Sequence, residues 1–131
     1  MKSILMVNHS FPPELDNDSL IIRDGVSAHC VGVAGHLKHK YRVTILSPGK
    51  RGNFTHNGIR FVHAGSQSIS QYKFEDLEFC FAVLDTCMSH EYDYIIAHSG
   101  LIIATSLLRN VIPGHCLGFV HDTFPNVRSV F

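Results

Sequence analysis

The chain has 131 residues, of which 45% are hydrophobic and 17% are charged, and its formal net charge is zero. A chain of this length forms one domain with a single core. The balanced charge excludes a polybasic surface for nucleic acid or anionic lipid. The apolar runs are shorter than the roughly 20 residues that span a bilayer. Without a signal-peptide pattern or a dense cysteine framework, we expect a cytoplasmic protein with buried, reduced thiols at Cys30, Cys80, Cys87 and Cys116.

The chain begins with a continuous apolar run over residues 3–7, which is typical of a strand covered on both faces in a parallel sheet. Pro12 and Pro13 follow closely. Two consecutive prolines cannot continue a ladder or enter a helix interior, because their rings fix φ and remove backbone donors. We therefore expect an open, stiff loop from His9 to Asp24 at the carboxyl end of the strand, and its length favours a functional role.

Helical spacing of apolar residues from Val26 to Leu37 predicts an amphipathic helix that ends near His39 and is capped by Asp24. A second buried strand is predicted at residues 42–46. Asn57-Gly58 then predicts a hairpin turn, since this pair favours the left-handed conformations of tight turns.

The second half of the chain continues the alternation of strands and helices. A helix is predicted over residues 73–90, then a strand at 94–97, a helix at 101–109 and a strand at 117–120. The longer helix is predicted to bury one stripe, consisting of Phe74, Leu77, Phe81, Leu84 and Met88. This alternation predicts an α/β fold: a Rossmann-like, doubly wound, mainly parallel sheet with helices on both faces.

Histidines follow three of the predicted strands. His9 comes after the first, His98 after the fourth and His121 after the fifth. The carboxyl ends of parallel strands meet at one rim, where such sheets bind ligands, so these imidazoles are candidates for sugar hydroxyls and proton transfer. The alternative is that each occupies an ordinary surface or core position, because the chain has ten histidines.

Two further features are candidates for binding phosphate or a metal ion. Gly25 begins the first helix, where exposed backbone amides and the helix dipole favour phosphate, or where glycine only relieves a tight turn. His36 and His39 have a spacing that suits zinc, but the flanking lysines and the lack of further ligands favour a solvated helix end. The sequence has no GxGxxG, P-loop or GxSxG motif, which argues against dinucleotide binding and nucleophilic catalysis.

Four segments in order carry a family resemblance: ILMVNHSFPPE, RDGVSAHCVGVAGHLKHKYRVTILSP, YDYIIAHSGLIIA and GFVHDTFP. Together they resemble the N-terminal half of GT-B glycosyltransferases, and most of all the large retaining group of mannosyl- and glucosyltransferases. The resemblance covers nearly the whole chain, although no single motif in it is specific.

The resemblance implies roles for particular residues. His98 corresponds to a histidine that faces the reacting sugar and acceptor, and His121 to a histidine that lines the cleft, so both are expected to be catalytic. Gly25 corresponds to the second glycine of a turn that borders the donor phosphates, whereas Asp24 replaces the first glycine. The expected substrate-binding residues are His9, Asp24, Gly25, Ser99 and Asp122.

The resemblance also implies what this chain lacks. We expect residues 1–131 to be one acceptor-side domain, a truncated piece or a subunit that needs a partner chain, without the C-terminal domain that binds the donor nucleotide. The expected substrates are a nucleotide sugar, such as a GDP- or UDP-sugar, and a sugar acceptor, with retention and without a metal or other cofactor. The unfinished sheet edges favour self-association.

The sequence is also compatible with two other functions. The same rim fits a non-catalytic, flavodoxin-like module that binds a small ligand or a protein. A flavin or nicotinamide oxidoreductase is the third interpretation, and the missing glycine-rich phosphate turn argues against it.

Overall fold

The computed structural model describes residues 1–65, 77–98 and 115–119, the last five by their backbone. The strands are β1 Ser3–Val7, β2 Glu14–Asp16, β3 Ser19–Ile21, β4 Arg42–Ser47, β5 Gly52–His56, β6 Ile59–His63, β7 Tyr94–His98 and β8 His115–Phe119; the helices are α1 Gly25–Leu37 and α2 Leu77–Ser89. The predicted helix at residues 101–109 lies outside the described residues, as do residues 73–76 of the longer one.

Six strands form one mainly parallel sheet in the order β5-β6-β4-β1-β7-β8. From the central β1 the chain moves outward through β4 to β6, and it then crosses to the other side of β1 to form β7 and β8. Only β5 runs antiparallel, as one arm of the predicted hairpin, with Asn57 and Gly58 at positive φ in its turn. This is the predicted doubly wound α/β fold, and the change of direction lies between β1 and β7.

The sheet is covered on both faces because alternate residues of its central strands point to opposite sides. Ile4 and Met6 of β1 pack with Cys30 and Ala34 of α1. Leu5 and Val7 pack on the other side with α2. The continuous apolar run of β1 is therefore confirmed as a strand buried on both faces.

The stripe predicted for α2 is wrong at Phe81 and Met88, whereas Leu84 is half-buried and packs against the core; the side chain of Leu77 lies outside the described ones. Phe79, Val83 and Cys87 are the residues that α2 buries against the sheet, whereas Phe81 is 65% exposed and Met88 is 58% exposed. Phe74 lies outside the described residues. Both sets of residues have helical spacing, so periodicity alone cannot distinguish the face that packs from the face that meets solvent.

The prediction of buried thiols holds for two of the three cysteines whose side chains are described. Cys30 and Cys87 are buried and Cys80 is half-buried, while the side chain of Cys116 lies outside the described residues. Burial raises the pKa of the Cys30 thiol, which keeps this thiol protonated and chemically inert.

The sequence had indicated an irregular loop after β1, but part of this loop is regular. It contains a second small sheet, the antiparallel pair β2–β3, whose turn places Asn17 at positive φ. Leu20 of β3 packs against the core on the α1 side, and Nε2 of His56 lies 3.2 Å from the carbonyl oxygen of Asp18. The β2–β3 hairpin thus covers the part of the sheet near β5 and β6, where β4 and β6 are joined without a crossover helix.

The proline loop is held by close contacts at its start. Pro12 and Pro13 are buried, and the Pro13 carbonyl oxygen lies 2.9 Å from Nε2 of His63. Gly49 approaches from the end of β4 with φ at +124°, and a Cβ on this glycine would lie 2.8 Å from Cγ of Pro12. Both the backbone conformation and the contact therefore require glycine at position 49.

We predict that Gly49→Ala lowers the free energy of unfolding by about 1–3 kcal/mol, because the new methyl group is strained and displaces Pro12. The matched control is Gly32→Ala in α1, where an added Cβ meets nothing within 4 Å. That change is expected to stabilise the fold by about 0.5–1 kcal/mol. Urea denaturation of both variants measures the difference, and equal effects would contradict the proposed contact.

Candidate functional site

The candidate site is the rim formed by the carboxyl ends of β1, β4 and β7. Val7 pairs with Ala97 and with Leu46, so the residues that follow them emerge at one level of the sheet. The backbone amide of Asn8 extends the ladder by donating to the Leu46 carbonyl oxygen at 2.8 Å. This rim borders the topological switch point, which is where doubly wound sheets bind their ligands.

Asn8 is the centre of a buried polar network at this rim. Its Nδ2 donates to Oγ of Ser27 at 3.0 Å and to Oγ of Ser47 at 3.1 Å, and it lies 3.4 Å from the Phe11 carbonyl oxygen. Its Oδ1 accepts from the backbone amide of Ser10 at 3.2 Å. Asn8 is fully buried. Its carboxamide joins the end of β1 to β4, α1 and the proline loop.

The serines of this network are themselves fixed. Ser27 is buried at the start of α1, and its Oγ donates to the Phe11 carbonyl oxygen at 2.6 Å. Ser10, also buried, donates through Oγ to Oδ2 of Asp24. Buried polar groups are stable only when they are hydrogen-bonded, and a satisfied network of this kind fixes one conformation of the surrounding backbone.

Asp24 caps α1, as the sequence predicted. Its Oδ1 accepts from the backbone amide of Ser27 at 3.2 Å, and its backbone is extended as in a typical N-cap. The carboxylate therefore occupies the positive end of the helix dipole with its own negative charge. An anionic ligand that approaches this helix end meets a site that already holds a carboxylate.

Gly25 is exposed directly after this cap. An added Cβ would meet nothing within 4 Å, and Gly25 is not among the glycines with positive φ. No tight turn therefore requires glycine at this position. What remains of the sequence-based hypothesis is an open approach to the backbone at the start of α1.

The structure places the predicted histidines unequally. His9 is buried, with 5% of its surface exposed. His98 is the last residue of β7, so its backbone lies at the rim beside the end of β1. His121, Ser99 and Asp122 lie outside the described residues, and their roles stay predictions.

The described part of the chain offers neither a metal cluster nor a membrane-spanning helix. Within residues 1–65, 77–98 and 115–119, no group of three His, Cys, Asp or Glu side chains is placed to hold a metal ion, and His36 and His39 are partly or fully exposed at the end of α1. Neither helix in that part of the chain has the length and apolar character needed to cross a membrane.

Sequence reasoning missed Asn8, Ser27 and Ser47. The signal that could have found Asn8 is its position: an amide side chain directly after a fully apolar strand stands at the switch point of the sheet. Ser47 ends the neighbouring strand in the same way.

Comparison with solved structures identifies the architecture. The chain is similar to sucrose-phosphate synthase from Thermosynechococcus elongatus, with a TM-score of 0.66, 12% sequence identity, and coverage of 93% of this chain and 33% of that chain. A second structure of that enzyme gives a TM-score of 0.62 and 15% identity, covering 92% of this chain and 64% of that one. No protein-family model and no curated protein matches the sequence.

These neighbours show the fold. The α/β sheet with its helices matches one half of a GT-B glycosyltransferase, as the sequence predicted. The chain spans about a third of the length of the first sucrose-phosphate synthase chain, so it corresponds to a part of that enzyme.

We predict that Asn8→Ala lowers the free energy of unfolding by about 2–3 kcal/mol, because it removes the partner of several buried polar groups at once. Asn53→Ala is the control, since Asn53 is exposed on β5. Hydrogen exchange adds a local readout: the amides of Ser10 and Ser27 should exchange faster in Asn8→Ala. Unchanged stability and exchange would show that Asn8 does not hold the rim together.

Proposed function

We propose that this chain is the acceptor-side domain of a retaining glycosyltransferase that transfers a hexose from a nucleotide sugar. The observation that supports this most is the combination of the GT-B half fold with a rigid polar rim at the β1–β7 switch point. The chain's own contribution is one wall of a cleft, and the donor-nucleotide domain or a partner chain supplies the other. By itself the chain is expected to bind a nucleotide sugar weakly and to be inactive.

Within this proposal, His98 is the candidate catalytic residue. It ends β7 beside the end of β1, where a donor sugar and an acceptor would meet. A neutral imidazole offers one donor and one acceptor to sugar hydroxyls. His121 and Asp122 are proposed to line the same cleft, with His9 and Ser99 as further binding residues. The rate of transfer then depends chiefly on electrostatic stabilisation of the departing diphosphate.

The substrates in this proposal are a GDP- or UDP-sugar and a sugar acceptor, with no metal or other cofactor. Lys50 and Arg51 are exposed in the segment after β4, at the end of the sheet that forms the rim. They supply positive charge at that end. Asp24 opposes phosphate binding at the start of α1. We therefore place the diphosphate away from the Asp24 carboxylate, on the side of the cleft that the donor-nucleotide domain or a partner chain would supply.

The alternative is a flavodoxin-like module that binds a small ligand or a protein without catalysis. It uses the same switch-point rim as the transferase. Turnover separates the two functions.

The decisive measurement is turnover by the whole protein that contains this chain, screened with several nucleotide sugars. His98→Ala is expected to reduce kcat by about 10²–10³-fold, the size of effect seen when one transition-state hydrogen bond is removed, while circular dichroism stays unchanged. His29→Ala, in the exposed surface of α1, is the matched control and should retain full turnover. Full activity of His98→Ala would remove His98 from the site.

A second prediction concerns the charge of Asp24. Asp24→Asn keeps an N-cap of similar strength and removes the carboxylate. If phosphate is repelled from this helix end, the variant should bind UDP or GDP more tightly than the wild type at low salt, by roughly threefold to tenfold, because the repulsion is screened by salt. Calorimetry measures this, and an unchanged affinity would show that the Asp24 charge does not influence where phosphate binds.

A further inference from the structure

Phe11 is the most exposed large apolar residue of the proline loop, and its backbone is held by the polar network of the rim. Its side chain is 49% exposed, whereas the neighbouring Ser10, Pro12 and Pro13 are buried. The Phe11 carbonyl oxygen accepts from Oγ of Ser27 at 2.6 Å and lies 3.4 Å from Nδ2 of Asn8. The backbone that carries the ring is therefore fixed at the rim.

Polar groups that suit hydroxyls belong to the same part of the rim as Phe11. Ser10 precedes Phe11 and donates to Oδ2 of Asp24, whose side chain is only partly buried. A carboxylate accepts up to about four hydrogen bonds, so Asp24 keeps acceptor capacity beyond the bonds to Ser10 and Ser27. Ile22, two residues before Asp24, is also 37% exposed and adds an apolar edge.

We infer that Phe11 is a stacking platform for the apolar face of a pyranose ring, with the Asp24 carboxylate accepting hydrogen bonds from the sugar's hydroxyls. A pyranose has an apolar face of C–H groups and a polar rim of hydroxyls, and an aromatic ring next to a carboxylate complements both. Phe11 then acts as a specificity-determining residue. This inference rests on the proposed function and goes further by naming the residue that recognises the sugar.

The source of the pyranose is either the acceptor or the sugar of the donor nucleotide. Both present the same C–H face to an aromatic ring, and Phe11 stands beside the switch point where the two would meet. Methyl glycosides and nucleotide sugars distinguish these sources in the test below.

The chain contains no tryptophan, so a single substitution creates a specific reporter. Phe11→Trp places the only indole on the proposed platform. The matched control is Phe81→Trp, since Phe81 is the same residue type, is 65% exposed, and lies on α2, which packs on the face of the sheet opposite α1. Both variants are titrated with methyl α-D-glucopyranoside, methyl α-D-mannopyranoside, UDP, UDP-glucose and GDP-mannose, and circular dichroism checks that both fold.

A saturable change of emission in Phe11→Trp with a methyl glycoside, and no such change in Phe81→Trp, is the expected result and assigns the acceptor. A change with a nucleotide sugar, but with neither UDP nor a methyl glycoside, also supports the platform and assigns the donor sugar. Equal changes in both variants overturn the inference.

Two further arms cover other occupants and the effect of the indole itself. A response only to cyclohexanol or to phosphatidylcholine–phosphatidylglycerol vesicles overturns the inference in favour of a purely apolar partner. Saturation-transfer NMR on the unmodified chain and on Phe11→Ala repeats the test without tryptophan, and a sugar signal equal in both overturns it as well. Failure here leaves the turnover assay untouched, so a transferase that lacks this platform remains distinguishable from a protein that transfers no sugar.

Discussion

The buried carboxamide of Asn8 is the interaction on which the rim depends. A parallel sheet fixes the ends of its strands but does not fix the loops that leave them. In this chain one side chain, directly after β1, holds the rim together by hydrogen bonds to β4, α1 and the proline loop. The amide is suited to this position because it both donates and accepts, so it can satisfy hydroxyl and backbone partners together. Removing it would leave several buried groups unsatisfied at once, which is why such networks hold a single conformation.

The charge at the start of α1 shapes the proposed function. Helix N-termini in nucleotide-binding folds commonly receive phosphate, yet here the Asp24 carboxylate receives the amide of Ser27 and the hydroxyl of Ser10. This chain therefore presents hydrogen-bond acceptors and an aromatic ring at its rim, a surface better suited to hydroxyls than to diphosphate. In the proposed function, the start of α1 is therefore assigned to sugar hydroxyls and the diphosphate to another part of the cleft.

Local signals in the sequence predicted the elements that local physics determines. The apolar run of β1, the Asn57-Gly58 turn and the Asp24 cap each depend on a few adjacent residues, and each is confirmed. The buried face of α2 was not predictable because Phe81 and Phe79 belong to stripes of equal apolar character, and only the tertiary contact selects Phe79. The β2–β3 hairpin was missed because three-residue strands with exposed polar residues carry almost no pattern. The network around Asn8 joins residues up to 39 positions apart, and nothing in the order of residues reports that proximity.

The central position of β1 has a consequence for biosynthesis. β1 lies between β4 on one side and β7 on the other, and Asp93, just before β7, accepts a hydrogen bond from Ser3 across a separation of 90 residues. β4 follows β1 sooner in the chain than β7 does, so during translation β1 can gain its β4 neighbour first. The longer loop to β7 closes more slowly, and until it closes one edge of β1 stays unpaired, which is the kind of strand edge that favours aggregation.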